Sequence, residues 1–224
     1  MRKNKPNRQH SPSFKRRKFQ PPDFYVKRHK QLQSARSEPA PLRCLLLKRR
    51  HNFGPQNVSA MRYLFLIRHA KSSWDAPSLR DFDRPLNERG GHDAPRMAKL
   101  LFQKNIRPDL IVSSPAKRAL TTARFFAEGL GIPPDSIVQK AEIYDAFATD
   151  ILQIIQELPD HAQTVFLFGH NPTFTDVANR FADQYIGNIP TCGVVCIEST
   201  APGWADFNTA NARVIAQLFP KEVL

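Results

Sequence analysis

Apolar residues in the second part of the chain fall in short unbroken runs separated by longer amphipathic stretches. Residues 63–67 (YLFLI) are continuously apolar, as expected of a strand covered on both faces. Comparable runs predict strands at 109–113 (DLIVS), 164–168 (TVFLF) and 193–198 (GVVCIE). A short strand is expected at 137–142, and an edge strand that includes 204–208. Between the runs the period lengthens to that of a helix. Residues 87–104 predict a helix opening at Asn87, with Glu88 in its first turn and Met97, Leu100 and Leu101 facing inward. Further helices are expected over 115–130, closed by Gly131, over 150–158, ended by Pro159, and over 173–181. This alternation predicts an α/β layered fold with a mostly parallel sheet, carried by residues 61–224 as one domain. There is no internal repeat.

Residues 1–60 follow a different pattern. Apolar positions are scattered, apart from Leu45-Leu46-Leu47, among Lys, Arg, Pro, Gln and Ser. Such a stretch buries too little apolar surface to offset its chain entropy, so a disordered basic extension is expected. Three leucines are far short of a secretory signal core. Three readings of the segment stay open. It is an extension without function, preceding a natural start at Met61; or an Arg-rich, acid-poor targeting peptide; or a basic arm that meets RNA or anionic lipid through phosphate contacts, with Lys15-Arg16-Arg17-Lys18 as its best support.

Charge divides along the same boundary. The 224-residue chain has a formal net charge of +13. Sixteen of its 33 Lys and Arg lie in residues 1–60, against two acids, Asp23 and Glu38. Residues 61–224 keep 17 bases and 18 acids. Nucleic-acid binding is therefore expected only through residues 1–60. The three cysteines, Cys44, Cys192 and Cys196, suit a reducing compartment, and a cytoplasmic location is expected. The bland reading of Cys192 and Cys196 is a pair of buried thiols on one strand face. No metal site is expected, because no further Cys or His ligands lie near them in sequence. No apolar run reaches the length of a membrane span, so no membrane partner is expected.

Parallel sheets bind ligands outside the carboxyl ends of their strands, and three predicted strands end in chemically loaded residues. The first runs into Arg68-His69-Ala70-Lys71, the second into Ser113-Ser114-Pro115-Ala116-Lys117-Arg118, and the fourth into Gly169-His170-Asn171-Pro172. Two arginines and two histidines would meet at one edge. A guanidinium fork binds two phosphoryl oxygens at once and stays charged. A neutral imidazole is a nucleophile towards phosphorus at neutral pH, and a second, protonated histidine would stabilise the charge that develops in transfer. Taken singly each motif has a plainer reading; Gly-His-Asn-Pro alone is a helix-entry turn with Asn as cap. No Gly-x-x-x-x-Gly-Lys-Ser/Thr loop and no acidic cluster with Mg²⁺ spacing is present.

These residues resemble the motifs of the histidine phosphatase superfamily. Arg68-His69 is similar to its Arg-His-Gly signature, Ser113-Ser114-Pro115-x-x-Arg118-Ala119-x-x-Thr122 to its second motif, and Gly169-His170 to its third. Arg68-His69-Ala70-Lys71-Ser72, Asp83-Arg84-Pro85-Leu86 with Gly90, and Gly169-His170-Asn171-Pro172 resemble the short phosphohistidine phosphatase (SixA-type) branch. The match runs from Met61 to about residue 200. It implies a three-layer α/β/α sandwich of the phosphoglycerate mutase-like kind. It implies that His69 takes the phosphoryl group, that Arg68 and Arg118 clamp it, and that His170 completes the pocket. Arg84 is expected at the mouth. Lys71 and Ser72 are candidate substrate contacts or loop-solvating residues. Glu142 is the nearest candidate general acid, with a solvated carboxylate as its plainer reading. Ala70 stands where the family has glycine and adds only a methyl group. His92 and His161 are expected on the surface, and Trp74 over the entrance.

The expected activity is a metal-independent, cofactor-free phosphatase that works through a phosphohistidine intermediate and acts on phosphohistidine in proteins. A phosphatase or mutase for small phosphate esters is the rival within enzymes. A catalytically silent scaffold with a nucleic-acid-binding basic arm is the rival of another class.

Overall fold

The computed structural model describes residues 61–75 and 78–224. The basic extension expected at 1–60, with its cluster at 15–18 and Cys44, lies outside the described residues. Along the described chain come β1 (Arg62–Arg68), α1 (Glu88–Gln103), β2 (Leu110–Ser113), α2 (Lys117–Leu130), β3 (Val138–Gln139), α3 (Ala148–Gln156), β4 (Thr164–Gly169), α4 (Thr173–Asn179), β5 (Val194–Ser199), β6 (Ala212–Leu218) and α5 (Pro220–Val223). The strands form one sheet in the order β3-β2-β4-β1-β5-β6. Pairings β3–β2, β2–β4 and β4–β1 are parallel, and β5 runs against both β1 and β6.

The apolar runs are continuous because both faces of the sheet are covered. Side chains alternate across a strand. Leu64, Leu66, Val165 and Leu167 therefore face one way and pack with Ile151, Ile155, Phe174, Val177 and Trp204. Phe65, Ile67, Phe166 and Phe168 face the other way and pack with Met97, Leu101, Phe126 and Leu130. Helices α1 and α2 thus cover one face and α3 and α4 the other. The result is a three-layer α/β/α sandwich with a mostly parallel sheet. No described helix is long and apolar enough to cross a membrane.

Local signals place the helix ends. The Asn87 side chain accepts the Gly90 N–H and caps α1. Gly131, at φ 70°, closes α2 in the left-handed conformation that glycine adopts without a steric penalty.

The structure departs from the sequence reading in four places. The strand expected at 137–142 shortens to Val138–Gln139, and Ala141–Ile143 makes a 3-10 turn instead. Residues 204–206 are also a 3-10 turn, with Trp204 buried and its indole N–H donating to the Ala162 carbonyl. The edge strand is β6, whose half-exposed, mixed sequence ARVIAQL lacks the apolar run that marks a covered strand. Asn171 does not cap α4. Its amide donates to the Asn188 side chain and the Ile189 carbonyl, and the Asn171–Pro172 peptide is cis. Finally, Cys192 precedes β5 in a turn at φ 62°, so the two cysteines do not share a strand, although both are buried thiols in one apolar cluster.

Candidate active site

The register of the parallel strands brings the loaded strand ends together. Arg68 pairs with Gly169 across β1 and β4, and Ser113 with Phe168 across β2 and β4. The next residues, His69, His170 and Ser114, leave the sheet side by side. The His69 N–H donates to the Gly169 carbonyl at 3.0 Å, and the Ser114 N–H to the Phe168 carbonyl at 3.0 Å. The two imidazoles lie 5.2 Å apart between ring centroids.

The His69 ring is held in one tautomer. Its Nδ1 lies 2.7 Å from the Ala70 carbonyl oxygen, which accepts only, so Nδ1 carries the proton. Nε2 is left with its lone pair, and Arg118 Nε donates to it at 3.3 Å. Burial lowers the His69 pKa to about 4. The Ala70 hydrogen bond opposes that shift, and the charges of Arg118, Arg68 and Arg84 add to it. At neutral pH the ring is neutral.

Thr122 fixes the loop behind it. Its hydroxyl accepts the Ala70 N–H at 2.9 Å and donates to the Arg118 carbonyl at 2.7 Å. From one side chain on α2 it ties the His69 loop to the helix that carries Arg118. Behind the loop, the Cys192 N–H is shared between the Arg68 and His69 carbonyls, at 3.1 Å each.

His170 shares a 3.0 Å hydrogen bond between Nε2 and Ser114 Oγ. Burial, then the neighbouring His69 and Arg118, lower its pKa to about 3. The protonated second histidine expected from sequence is thus neutral as the residues stand, because it is buried among cations. The His170 Nδ1 and Arg68 Nε atoms are both buried and have no hydrogen-bond partner among the described residues. Arg68 is otherwise held by the Ile189 carbonyl at 2.7 Å.

The mouth is built by the 3-10 turn at Asp81–Asp83. The Asp81 carboxylate receives Arg118 through Oδ2 at 2.8 Å, Arg84 through Oδ1 at 2.9 Å, and the Tyr144 hydroxyl through Oδ2 at 2.8 Å. Arg118 also donates to the Asp81 backbone carbonyl. Partial burial would raise the Asp81 pKa, but hydrogen bonds from Tyr144 and Arg84 and the charge of Arg118 outweigh it and hold it at about 2. Tyr144 meets His170 edge-on at 5.6 Å and Phe82 at 5.0 Å, so a line of rings joins the turn to the two histidines.

Of the residues singled out from sequence, His69, His170, Arg118, Arg68 and Arg84 lie in this cluster. Arg84 is buried; it donates to the Ser73 carbonyl and Ser72 Oγ as well as to Asp81, and it stacks on Trp74 at 3.3 Å. Ser72 is buried with its hydroxyl on Arg84, which makes it a bracket for that guanidinium. The Lys71 side chain is exposed, and its carbonyl accepts the Asn87 N–H. Glu142 is exposed and lines a hollow of about 440 Å³ with Lys140, Tyr144, Asp145 and Asp150. Among the described residues it has no hydrogen bond or ion pair with the histidines or arginines of the cluster. His92 and His161 are exposed, and Trp74 is exposed at the mouth.

Sequence reasoning passed over Asp81, Tyr144 and the bracing role of Thr122. Asp83, which is in the Asp-Arg-Pro-Leu text, pairs instead with exposed Arg80. The available signal for Asp81 was its i, i+3 spacing to Arg84 at the end of a turn, where a carboxylate reaches back to the arginine.

Several known proteins resemble this chain in sequence and fold. The profile of the histidine phosphatase superfamily, branch 1, matches residues 64–144. A protein of Arabidopsis thaliana, named as uncharacterized and chloroplastic, is 31% identical over 159 residues, covering 67% of this chain and 72% of the relative. A crystal structure from Agrobacterium tumefaciens, assigned as the phosphohistidine phosphatase SixA, is 32% identical with a TM-score of 0.60 and covers 70% of this chain and 97% of that one. The chain belongs to the histidine phosphatase superfamily. Within this superfamily it resembles the short SixA-type branch. The fold extends to more distant proteins. A phosphoglycerate mutase of Bacillus anthracis, 14% identical, superposes with a TM-score of 0.56 over 74% of this chain and 96% of the mutase. The histidine phosphatase profile ends at the residue, Tyr144, that closes the ring line onto His170.

Proposed function

We propose that this protein is a phosphatase that carries its phosphoryl group on His69 and takes phosphohistidine in proteins as substrate, without a metal ion. The observation that carries the reading is the state of His69: neutral, Nδ1 tied to the Ala70 carbonyl, and Nε2 presented to the Arg118 guanidinium. A buried, neutral imidazole whose unprotonated Nε2 lies among three arginines is poised to attack an electrophile that arrives with negative charge.

In the first step the Nε2 lone pair forms a bond to phosphorus as the bond to the substrate's leaving nitrogen breaks, and the substrate ring, protonated on its other nitrogen, departs as neutral imidazole. The phosphoryl charge falls on Arg68 and Arg118. With the Ser114 hydroxyl donating to His170 Nε2, the proton on Nδ1 is the donor that meets a phosphoryl oxygen, and the dianion beside it raises the His170 pKa again. In the second step water attacks phosphorus, the bond to Nε2 breaks, and orthophosphate leaves.

The substrate class follows from the protons available. The carboxylate bound into the cluster is Asp81, and at a pKa of about 2 it has no proton to give at neutral pH. An alkoxide leaving group needs such a proton. An imidazole leaves more readily, because it departs as a far weaker base. That favours phosphohistidine over a phosphate ester. The likeness to the Agrobacterium protein points the same way. The positive charge that a metal would bring is available from arginine side chains.

Turnover by the full chain, in EDTA, of a phosphohistidine protein and of para-nitrophenyl phosphate tests this. The expected result is turnover of both, with kcat/KM higher for phosphohistidine, and none with His69→Ala. Turnover that persists in His69→Ala, or that EDTA abolishes, would overturn the nucleophile or the metal independence respectively. A preference for small esters would move the substrate assignment to that class.

A further inference from the structure

Asp81 is ionised, half-exposed and in contact with two of the three arginines of the cluster. Nothing in the chemistry proposed above uses it. It gives no proton, and its position is the part of the Arg118 fork that points away from His69. The Arg118 guanidinium spends Nε on His69 and both terminal nitrogens on Asp81. A phosphoryl group arriving at His69 Nε2 therefore meets an arginine already engaged by an internal anion. Tyr144 fastens that anion from the far side, and Phe82 packs on the Tyr144 ring. The carboxylate is thus built in rather than caught in passing.

Charge gives the arrangement its meaning. Arg68, Arg84 and Arg118 carry three positive charges, Asp81 carries one negative charge, and both histidines are neutral. Before a phosphoryl group arrives the cluster stands at +2, the charge that balances a phosphoryl dianion. Without Asp81 it would stand at +3, and orthophosphate, the product, would be held by the excess.

We infer that Asp81 is a positioning residue that also sets the affinity of the site for phosphate: its carboxylate competes for the Arg118 fork, holds the cluster at the charge of one phosphoryl dianion, and so lets orthophosphate leave. This rests on the phosphatase reading above. A residue that merely braced the arginines would weaken phosphate binding when removed, because the guanidiniums would lose their anchor. A residue that competes with phosphate would tighten it. The two roles differ in sign.

The test is inhibition of para-nitrophenyl phosphate turnover by orthophosphate, in the full-length protein, for wild type, Asp81→Asn, Asp81→Ala and Asp81→Glu. Asp81 lies half-exposed in a surface turn, and melting curves establish that each variant is folded. The expected result is an orthophosphate inhibition constant about ten-fold lower in Asp81→Asn and Asp81→Ala, for a unit charge removed some ångströms from the anion. KM and kcat fall together as product is retained, and Asp81→Glu returns the constant towards wild type. If both neutral variants are inhibited no more strongly than wild type, Asp81 is only a bracket and the inference is overturned. If the wild-type protein neither turns over the ester nor is inhibited by orthophosphate, the reading on which the inference rests has failed instead.

Discussion

Burial holds His69 and His170 neutral, and this has a consequence for stability. Their folded pKa values, about 4 and about 3, lie below the value near 6.5 that an unfolded histidine has. The folded state therefore binds fewer protons than the unfolded chain over this interval. The stability is fully present above pH 6.5 and is lost as pH falls from there towards the folded values. Each histidine costs roughly 2 kcal/mol of stability by pH 5. Urea unfolding at pH 7 and pH 5 should show that loss, and a variant carrying both His69→Asn and His170→Asn should show a flatter dependence. An equal slope in the variant would mean that other groups carry the acid sensitivity. At this scale the sequence was informative about identity and silent about state. It named His69, His170, Arg68 and Arg118 because each follows a strand. It gave no sign that His170 would be neutral, because that depends on burial, and then on a second imidazole and two arginines, Arg118 and Arg68, brought in from other elements.

At the scale of elements, the site depends on the loop at 70–73 lying flat against the start of α1. The Lys71 carbonyl accepts the Asn87 N–H, and Ser72 pairs with Leu86 as an isolated bridge. The Gly90 Cα sits directly under that loop, where a side chain would overlap the Lys71 carbonyl oxygen. Backbone is a partner that cannot turn aside, so the helix or the loop must shift. Gly90→Ala is expected to cost about 2 kcal/mol in denaturant unfolding. It should also lower kcat, because Ser72 and Ser73 hold Arg84. An Ala variant as stable and as active as wild type would show that the loop has slack. Elements with strong local signals were legible. Asn87 opens α1 and Gly131 closes α2 as the sequence predicts, and the unbroken runs of β1 and β4 form the covered centre of the sheet. Elements that depend on partners were not. β6 is half-exposed and reads as mixed sequence, and it is held by its pairing with β5. The turn at 81–83 carries no hydrophobic pattern, and its place is set by the ion pair of Asp81 with Arg118 on α2, which is distant in sequence.

For the molecule as a whole, the two-part division of charge decides where each function can reside. Residues 61–224 are close to neutral overall, yet they gather three arginines at one end of the sheet with a single carboxylate among them. In the reading proposed above, the local field at that edge, rather than the net charge of the chain, suits the site to a phosphoryl dianion. Covered strands that run parallel and end together produce this convergence, and the alternation of runs and helices in the sequence already implied it. The mechanism proposed above stands on one event, transfer of the phosphoryl group to His69 Nε2. The most direct measurement is to mix the full-length protein with a phosphohistidine substrate, quench it rapidly into alkali, where phosphohistidine survives, and map the modified peptide by mass. The expected result is one added phosphoryl group on the peptide that contains His69, labile to acid and absent from His69→Ala. A phosphoryl group on another residue, or turnover with no phosphoenzyme trapped at any quench time, would contradict it.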